Sequence, residues 1–296
     1  MKRAVLVTGA SSGIGHAITL SLAGAGFVVY GTVRSRRDFD ALDKIPGVRP
    51  VVMDVTKPEQ VKRGIGWVGR REGSLYGLVN NAAVIDVWPM VEIEDRELVR
   101  SFEVNLFGVQ RVVREAAPLL AKSHGRIVNI SSVEGLVTTK FAGPYEMTKF
   151  ALEAYSDNLR RELRRYGVSV SVVEPGGFRS NYAKTAAKLL AKRAKARRPV
   201  LMKKEVEEIA KTWDAEVLDV ESRPPPSLVA DAVSDALTCA SPKHRYLVTA
   251  SRAEFLWTME RVLSKAIEVN RGSGYALSKT ELRGLLDTMW ARTAEG

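Results

Sequence analysis

Thr8-Gly9-Ala10-Ser11-Ser12-Gly13-Ile14-Gly15 follows the apolar run Ala4–Thr8 and opens a stretch, Gly13–Ala25, with helical spacing of its apolar residues. Glycine lets the backbone turn tightly and approach a ligand closely. The helix start behind it offers unpaired N–H groups and a positive dipole end to a phosphate. A plain strand-to-helix turn also uses glycine, so the place of the loop in the chain decides its weight. The same residues spell a second pattern: Gly9-Ala10-Ser11-Ser12-Gly13 matches G-x-S-x-G, the nucleophile elbow of α/β-hydrolases. That pattern makes Ser11 a nucleophile with His244 as base, and leaves Gly15 without a purpose.

Outward from the loop, apolar runs and helical patterns alternate. Ala4–Thr8, Val28–Val33, Val48–Met53, Leu75–Asn80, Arg126–Ser131, Val168–Val173 and Tyr246–Thr249 read as short buried strands. Gly13–Ala25, Pro58–Arg71, Asp95–Ala121, Thr148–Tyr166 and Ser227–Ala240 read as helices between them. Such alternation builds a parallel sheet with helices on both faces. Seven strands predict one doubly wound α/β domain over residues 1–250. Two pieces exceed that plan. Residues 179–226 carry two helical patterns, Asn181–Arg197 and Lys203–Leu218, and end in Pro224-Pro225-Pro226. Insertions of this length tend to be lids or binding loops. Residues 251–296 carry two further amphipathic patterns and read as a C-terminal helical extension of the same domain.

The chain of 296 residues is 45% hydrophobic and 27% charged, the balance of a soluble globular protein. No apolar run approaches the ~20 residues that span a bilayer. Thr8-Gly9 interrupts the first apolar run too soon for a signal-peptide core. The single cysteine, Cys239, rules out an internal disulfide and suits a reducing cytoplasm. His16, His124 and His244 stand far apart, with no ligand spacing to Cys or to one another, so no metal site is expected. The net charge of +11 is local: Pro175–Lys204 holds ten Lys or Arg and no acid, and the remainder is close to neutral. Nucleic-acid binding is therefore not a property of the whole chain, and no nucleic-acid partner is expected.

A second constellation lies downstream. Ser132 precedes Tyr145 by thirteen residues, and Lys149 follows Tyr145 by four, a spacing that puts both on one helix face. A free tyrosine has a pKa of about 10 and is a poor base at neutral pH. A nearby ammonium favours the phenolate, and a serine hydroxyl can hold the oxygen that gains or loses the proton. With eight Tyr and 17 Lys in the chain, such a pair alone is an ordinary coincidence. The glycine loop gives it a context.

Taken in order, the loop, Asn80-Asn81-Ala82-Ala83, Asn105, Ser132, Tyr145, Lys149 and Pro175-Gly176 make the chain resemble the short-chain dehydrogenase/reductase family. The similarity spans residues 3–180 strongly and 227–250 weakly. It implies a Rossmann-type sheet of seven parallel strands and hydride transfer between a nicotinamide and an alcohol or carbonyl. It assigns Tyr145 as catalytic acid/base, with Lys149 binding the nicotinamide ribose and lowering the tyrosine pKa. Ser132 would hold the substrate oxygen, and Asn105 would support a proton relay. Gly9, Ser11, Ser12, Gly13, Ile14 and Gly15 would cradle the cofactor phosphates. Asp54 and Val55 would meet the adenine, Asn81 and Ala82 would border the cofactor, and Pro175, Gly176, Phe178 and Ser180 would lie by the nicotinamide. Ala83 stands where the family usually has Gly, and Ser180 where it usually has Thr. Family members often pair through helices near 95–120 and 148–166, which implies a homodimer or homotetramer.

An acid at the end of the second strand would bind the ribose 2′-hydroxyl and repel a 2′-phosphate. Here Val33 stands where NAD-using relatives carry Asp, and Arg34 follows. A guanidinium pairs a phosphate through two hydrogen bonds, so NADP is expected over NAD. Lys184, Lys188, Lys192 and Lys195 recur at helical spacing. They read as the solvated face of a lid helix rather than a membrane contact, because the opposite face lacks Trp and Phe. Val133, Leu136, Val137, Phe141, Ala142, Phe178, Tyr182 and Trp213 make the expected pocket apolar. The expected substrate is a hydrophobic alcohol or carbonyl, steroid- or retinoid-like by analogy with hydroxysteroid- and retinol-type relatives. A non-catalytic NADP-binding sensor on the same fold is the alternative; such proteins typically lose the Tyr or the Lys.

Overall fold

A computed structural model describes residues 3–180, 182–196, 201–218 and 222–294. The chain divides into two compact units, Met1–Ala250 and Ser251–Gly296.

The first unit is built on seven parallel strands: β1 Ala4–Val7, β2 Val28–Val33, β3 Val48–Val52, β4 Gly77–Asn80, β5 Arg126–Ile130, β6 Ser169–Pro175 and β7 Arg245–Val248. Their order in the sheet is β3-β2-β1-β4-β5-β6-β7. All seven match predicted runs within one or two residues. Period-two alternation sends successive side chains to opposite faces. In β1, Ala4 and Leu6 enter one core, and Val5 and Val7 enter the other. Helices α1 Gly13–Gly24, α2 Arg36–Leu42, α3 Pro58–Glu72, α4 Asp95–Phe102, α5 Gly108–Ala121 and α6 Gly143–Leu163 follow in chain order. They continue with α7 Tyr182–Ala196, α8 Lys203–Leu218 and α9 Ser227–Thr238. Val61, Ile65 and Val68 of α3, Val109, Val112 and Ala116 of α5 and Leu152 and Leu159 of α6 fill one face of the sheet. Ile18 and Leu22 of α1 and Val229, Val233 and Leu237 of α9 fill the other.

Three local features differ from the sequence reading. The short helix α2 was not expected. Helix α6 starts at Gly143, with Pro144 in its first turn, rather than at Thr148; proline fits there because its missing N–H has no partner to lose. The pattern over Asp95–Ala121 is not one helix. A π-helical turn, Glu103–Phe107, joins α4 to α5, a feature frequent at functional sites.

The second unit holds helices α10 Arg252–Arg271 and α11 Lys279–Ala294. Ser251 caps α10 by accepting from Glu254 N. Ser278 and Glu281 form a reciprocal box at the start of α11.

Candidate active site

The exits of β1 and β4 are stitched together by side chains. Thr8 Oγ1 accepts from Asn81 N (2.9 Å) and Ala82 N (3.0 Å). Asn81 Nδ2 donates to Thr8 O (3.0 Å) and Gly9 O (3.1 Å). That contact fixes the loop, and the glycines make it possible. Gly9 and Gly13 sit at φ +68° and +56°, where a side chain is strained. Gly15 has no room at all: a Cβ there would lie 2.3 Å from both Asn81 Nδ2 and the Gly9 carbonyl oxygen. Ser12, just before helix α1, makes no side-chain cap and the first turn holds no acid, so the leading amides keep their need for an acceptor.

These amides open on a cleft of about 690 Å³. From the expected set, Gly9, Ser11, Ser12, Ile14 and Gly15 line it, and so do Arg34, Asp54, Val55, Asn81, Ala82 and Ser180. Thr32, Asp38, Thr56 and Arg100, which the sequence reading missed, line it as well. Gly13, Tyr145, Lys149, Pro175, Gly176 and Phe178 do not. Gly176 is instead spent on the sheet, donating N–H to Val248 O (2.8 Å). Phe178 is buried in the core that α1 and α9 share, which corrects its expected place in the substrate pocket. The Trp213 side chain lies outside the described residues. Asp54 closes a turn by accepting from Thr56 N (2.9 Å) and Thr56 Oγ1 (2.8 Å). Arg34 is exposed and makes no ion pair among the described residues, in contrast to Arg36, which pairs with Asp40 at 2.9 Å. A phosphate-bearing dinucleotide fits this cleft: uncapped amides, glycines no side chain can replace and an unspent guanidinium line one groove.

Ser132, Tyr145 and Lys149 gather at the exit of β5. Ser132 ends the extended chain and accepts from Glu134 N (3.1 Å), which starts the turn Val133–Gly135. Tyr145 is 7% exposed and Lys149 3%. Lys149 Nζ donates to Ile130 O (2.8 Å) and stands 5.3 Å from the centre of the Tyr145 ring. Burial lowers the Lys149 pKa to about 8, against the opposing pull of Glu153 and Glu134. The Tyr145 phenol is not held low. Burial pushes it up, the Glu134 charge adds to the rise, and the Ser132 hydroxyl opposes it by hydrogen bonding. The sequence reading expected a depressed value. Burial wins because the charged phenolate is the form that low dielectric disfavours. At neutral pH the resting site therefore presents a phenol, a proton donor.

Asn105 sits in the π-helical turn. Its Oδ1 accepts from Val84 N (2.8 Å), and its Nδ2 donates to Val84 O (2.9 Å) and to Thr148 Oγ1 (3.0 Å). Both amide hydrogens are committed, so the side chain ties α6 to the exit of β4 and holds the register of Tyr145 and Lys149.

The lid helices α7 and α8 close over this corner. Ala186 and Leu190 of α7 and Val206 of α8 pack with Ile85, Val87, Trp88, Phe141 and Tyr145. Lys184, Lys188, Lys192 and Lys195 all face outward, as expected of a solvated face. Arg193 turns inward, donating to Asp86, to Glu97 (2.9 Å) and to Val87 O (2.8 Å). Tyr182, at the start of α7, stacks edge-on against Tyr145 with ring centres 5.7 Å apart, and its hydroxyl donates to Glu134 Oε2 (2.7 Å). Glu134 was not singled out in the sequence.

The hydrolase pattern dissolves in this geometry. Ser11 follows the exit of β1, whereas His244 precedes the entry of β7 and gives its carbonyl to Val172 N. In a parallel sheet these are opposite ends.

A parallel sheet in the order β3-β2-β1-β4-β5-β6-β7, a glycine cleft at its strand exits and a Ser–Tyr–Lys set beside it define a Rossmann-type nicotinamide oxidoreductase. The short chain dehydrogenase family model matches residues 3–191. Rat "D-beta-hydroxybutyrate dehydrogenase, mitochondrial" is 35% identical over 264 residues, covering 82% of this chain and 76% of the relative. Rat "Retinol dehydrogenase 7" is 32% identical, covering 82% and 79%. A short-chain dehydrogenase structure from Streptomyces avermitilis superposes with a TM-score of 0.71 at 28% identity, covering 92% of this chain and 98% of that one. Structures of the same fold hold NADP in one case and NAD in another. The chain belongs to the short-chain dehydrogenase/reductase family and is an NAD(P)-dependent oxidoreductase.

Proposed function

We propose that the chain reduces hydrophobic ketones or aldehydes with NADPH and, in reverse, oxidises the corresponding alcohols with NADP+, with Tyr145 as the acid/base. The observation that carries the reading is the convergence of Ser132, Tyr145 and Lys149 on one buried corner next to the glycine cleft. The cofactor supplies the hydride. Gly9, Ser11, Ser12, Ile14 and Gly15 hold its phosphates, with Asn81 and Ala82 alongside, and Lys149 meets its ribose. Ser132 fixes the carbonyl oxygen, and Tyr145 donates the proton to that oxygen. The apolar cluster under the lid excludes water and favours a hydrophobic substrate. The working form is a cytoplasmic homodimer or homotetramer.

Arg34 supports NADPH, since a charge-assisted pair with the 2′-phosphate contributes about 1.5–3 kcal/mol. Asp38, in the same cleft, opposes a second negative charge. The competition is measurable. Arg34→Ala should weaken NADPH binding about tenfold or more, read by nicotinamide fluorescence, and leave NADH binding within about twofold. Equal losses for both would assign the cleft to NAD.

The Lys149 charge is present below about pH 8 and lost above it. For ketone reduction, kcat/KM should therefore be level to about pH 8 and fall roughly tenfold per unit above it. Lys149→Arg, whose guanidinium does not titrate in this range, should move that limb upward. An unmoved limb would assign it to another group.

A further inference from the structure

Ser132, Tyr145 and Tyr182 place three hydroxyls around one corner, and the Glu134 carboxylate reaches two of them, with Glu146 a lesser charge on Tyr182. Glu134 is two residues past Ser132, and its backbone N–H is bound by the Ser132 hydroxyl at 3.1 Å. Its Oε2 accepts from the Tyr182 hydroxyl at 2.7 Å, and the Tyr182 ring packs edge-on against Tyr145. The negative charge reaches the chemistry: it raises the pKa of Tyr145 and of Tyr182 and opposes the fall at Lys149. The Lys149 ammonium is anchored by one of its donors to the Ile130 carbonyl. A substrate whose oxygen lies between Ser132 and Tyr145 must run its substituents past this carboxylate in a site of low dielectric. There a like charge is repelled strongly and a donor is welcomed.

We propose that Glu134 sets substrate charge: the site takes neutral carbonyl compounds, prefers those with a hydroxyl or ammonium donor beyond the carbonyl, and rejects carboxylate anions such as 3-oxo or 3-hydroxy acids. The proposal rests on the oxidoreductase reading above and divides the two relatives' substrate types, an acid anion and a neutral alcohol. Of the two, the neutral alcohol matches this site. Tyr182 positions the carboxylate from the lid side.

The test uses four acetophenones with the same ketone and different para groups: methyl, hydroxymethyl, aminomethyl and carboxylate. Turnover with NADPH and binding to the enzyme–NADPH complex, followed by nicotinamide fluorescence, are measured on the full chain. The carboxylate compound should fall at least tenfold below the methyl compound in kcat/KM and in affinity. The hydroxymethyl and aminomethyl compounds should exceed the methyl one. Glu134→Gln should shrink the methyl-to-carboxylate ratio to within about threefold and erase the aminomethyl advantage. Glu134→Asp, which keeps the negative charge, should keep most of the discrimination and separates loss of charge from a folding defect in the first variant. A flat order in wild type, or a ratio that survives Glu134→Gln, overturns the proposal. Binding in the expected order with no turnover of any compound supports the charge selection and overturns the reductase reading instead.

Discussion

Tyr145→Phe should reduce ketone turnover about a thousandfold while cofactor affinity stays within about threefold of wild type. General acid/base groups contribute roughly 10²–10⁴ in rate, and a thousandfold loss corresponds to about 4 kcal/mol of barrier. The phenol is positioned for this loss to be specific. It is buried, hydrogen-bonded by Ser132 and held at neutral pH in its protonated form. It does not line the glycine cleft, so removing one oxygen leaves the phosphate-binding surface intact. Steady-state absorbance of the reduced nicotinamide reads the rate, and fluorescence titration reads the cofactor. A variant that keeps its turnover would place the proton elsewhere. Wild-type chain that binds NADPH but reduces nothing across a broad ketone panel would favour the non-catalytic sensor.

Gly15→Ala should lower cofactor affinity at least a hundredfold and cost about 1–3 kcal/mol of stability, the usual range for forcing extra atoms into a packed site. The new methyl would stand 2.3 Å from the Gly9 carbonyl oxygen and from Asn81 Nδ2. Asn81 could rotate away, but it would then abandon Thr8 O and Gly9 O, the bonds that tie β1 to β4. The Gly9 carbonyl is backbone and can move only with the loop. Gly24, on the same helix, is the control: a Cβ there meets nothing within 4 Å, so Gly24→Ala should leave the cofactor bound. Thermal melting with and without NADPH distinguishes a lost site from a lost fold.

Much of this was legible in the chain. The strands are short apolar runs bounded by glycine and polar residues, and all seven lie where those runs stand. The glycine loop was legible because each glycine answers a backbone demand. Asn81 and Asn105 were only half legible, because the sequence names an amide without saying which carbonyls it will meet. Both proved to be spent on backbone and Thr148. The π-helical turn was not read from the sequence, since Glu103–Phe107 contains no glycine or proline to mark a break.

Long-range pairing was the least readable. Arg193 looks like its four lysine neighbours in sequence, yet its partners Asp86 and Glu97 lie about a hundred residues away. The Tyr182–Glu134 contact spans 48 residues. The Tyr145 pKa went the other way from the expectation because spacing reveals a neighbouring cation but not the depth of burial around the phenol. The lid was predicted as two helices, and its inward face was not, because that face is defined by what it covers.

The central claim is hydride transfer from NADPH to a carbonyl carbon, with the proton from Tyr145. It is tested most directly by incubating wild-type chain with a neutral ketone and NADPH deuterated at the transferred position. The alcohol formed should carry one deuterium on its carbinol carbon by mass spectrometry, with Tyr145→Phe forming almost none. Alcohol without deuterium, or deuterated alcohol formed equally well by the variant, would contradict the account.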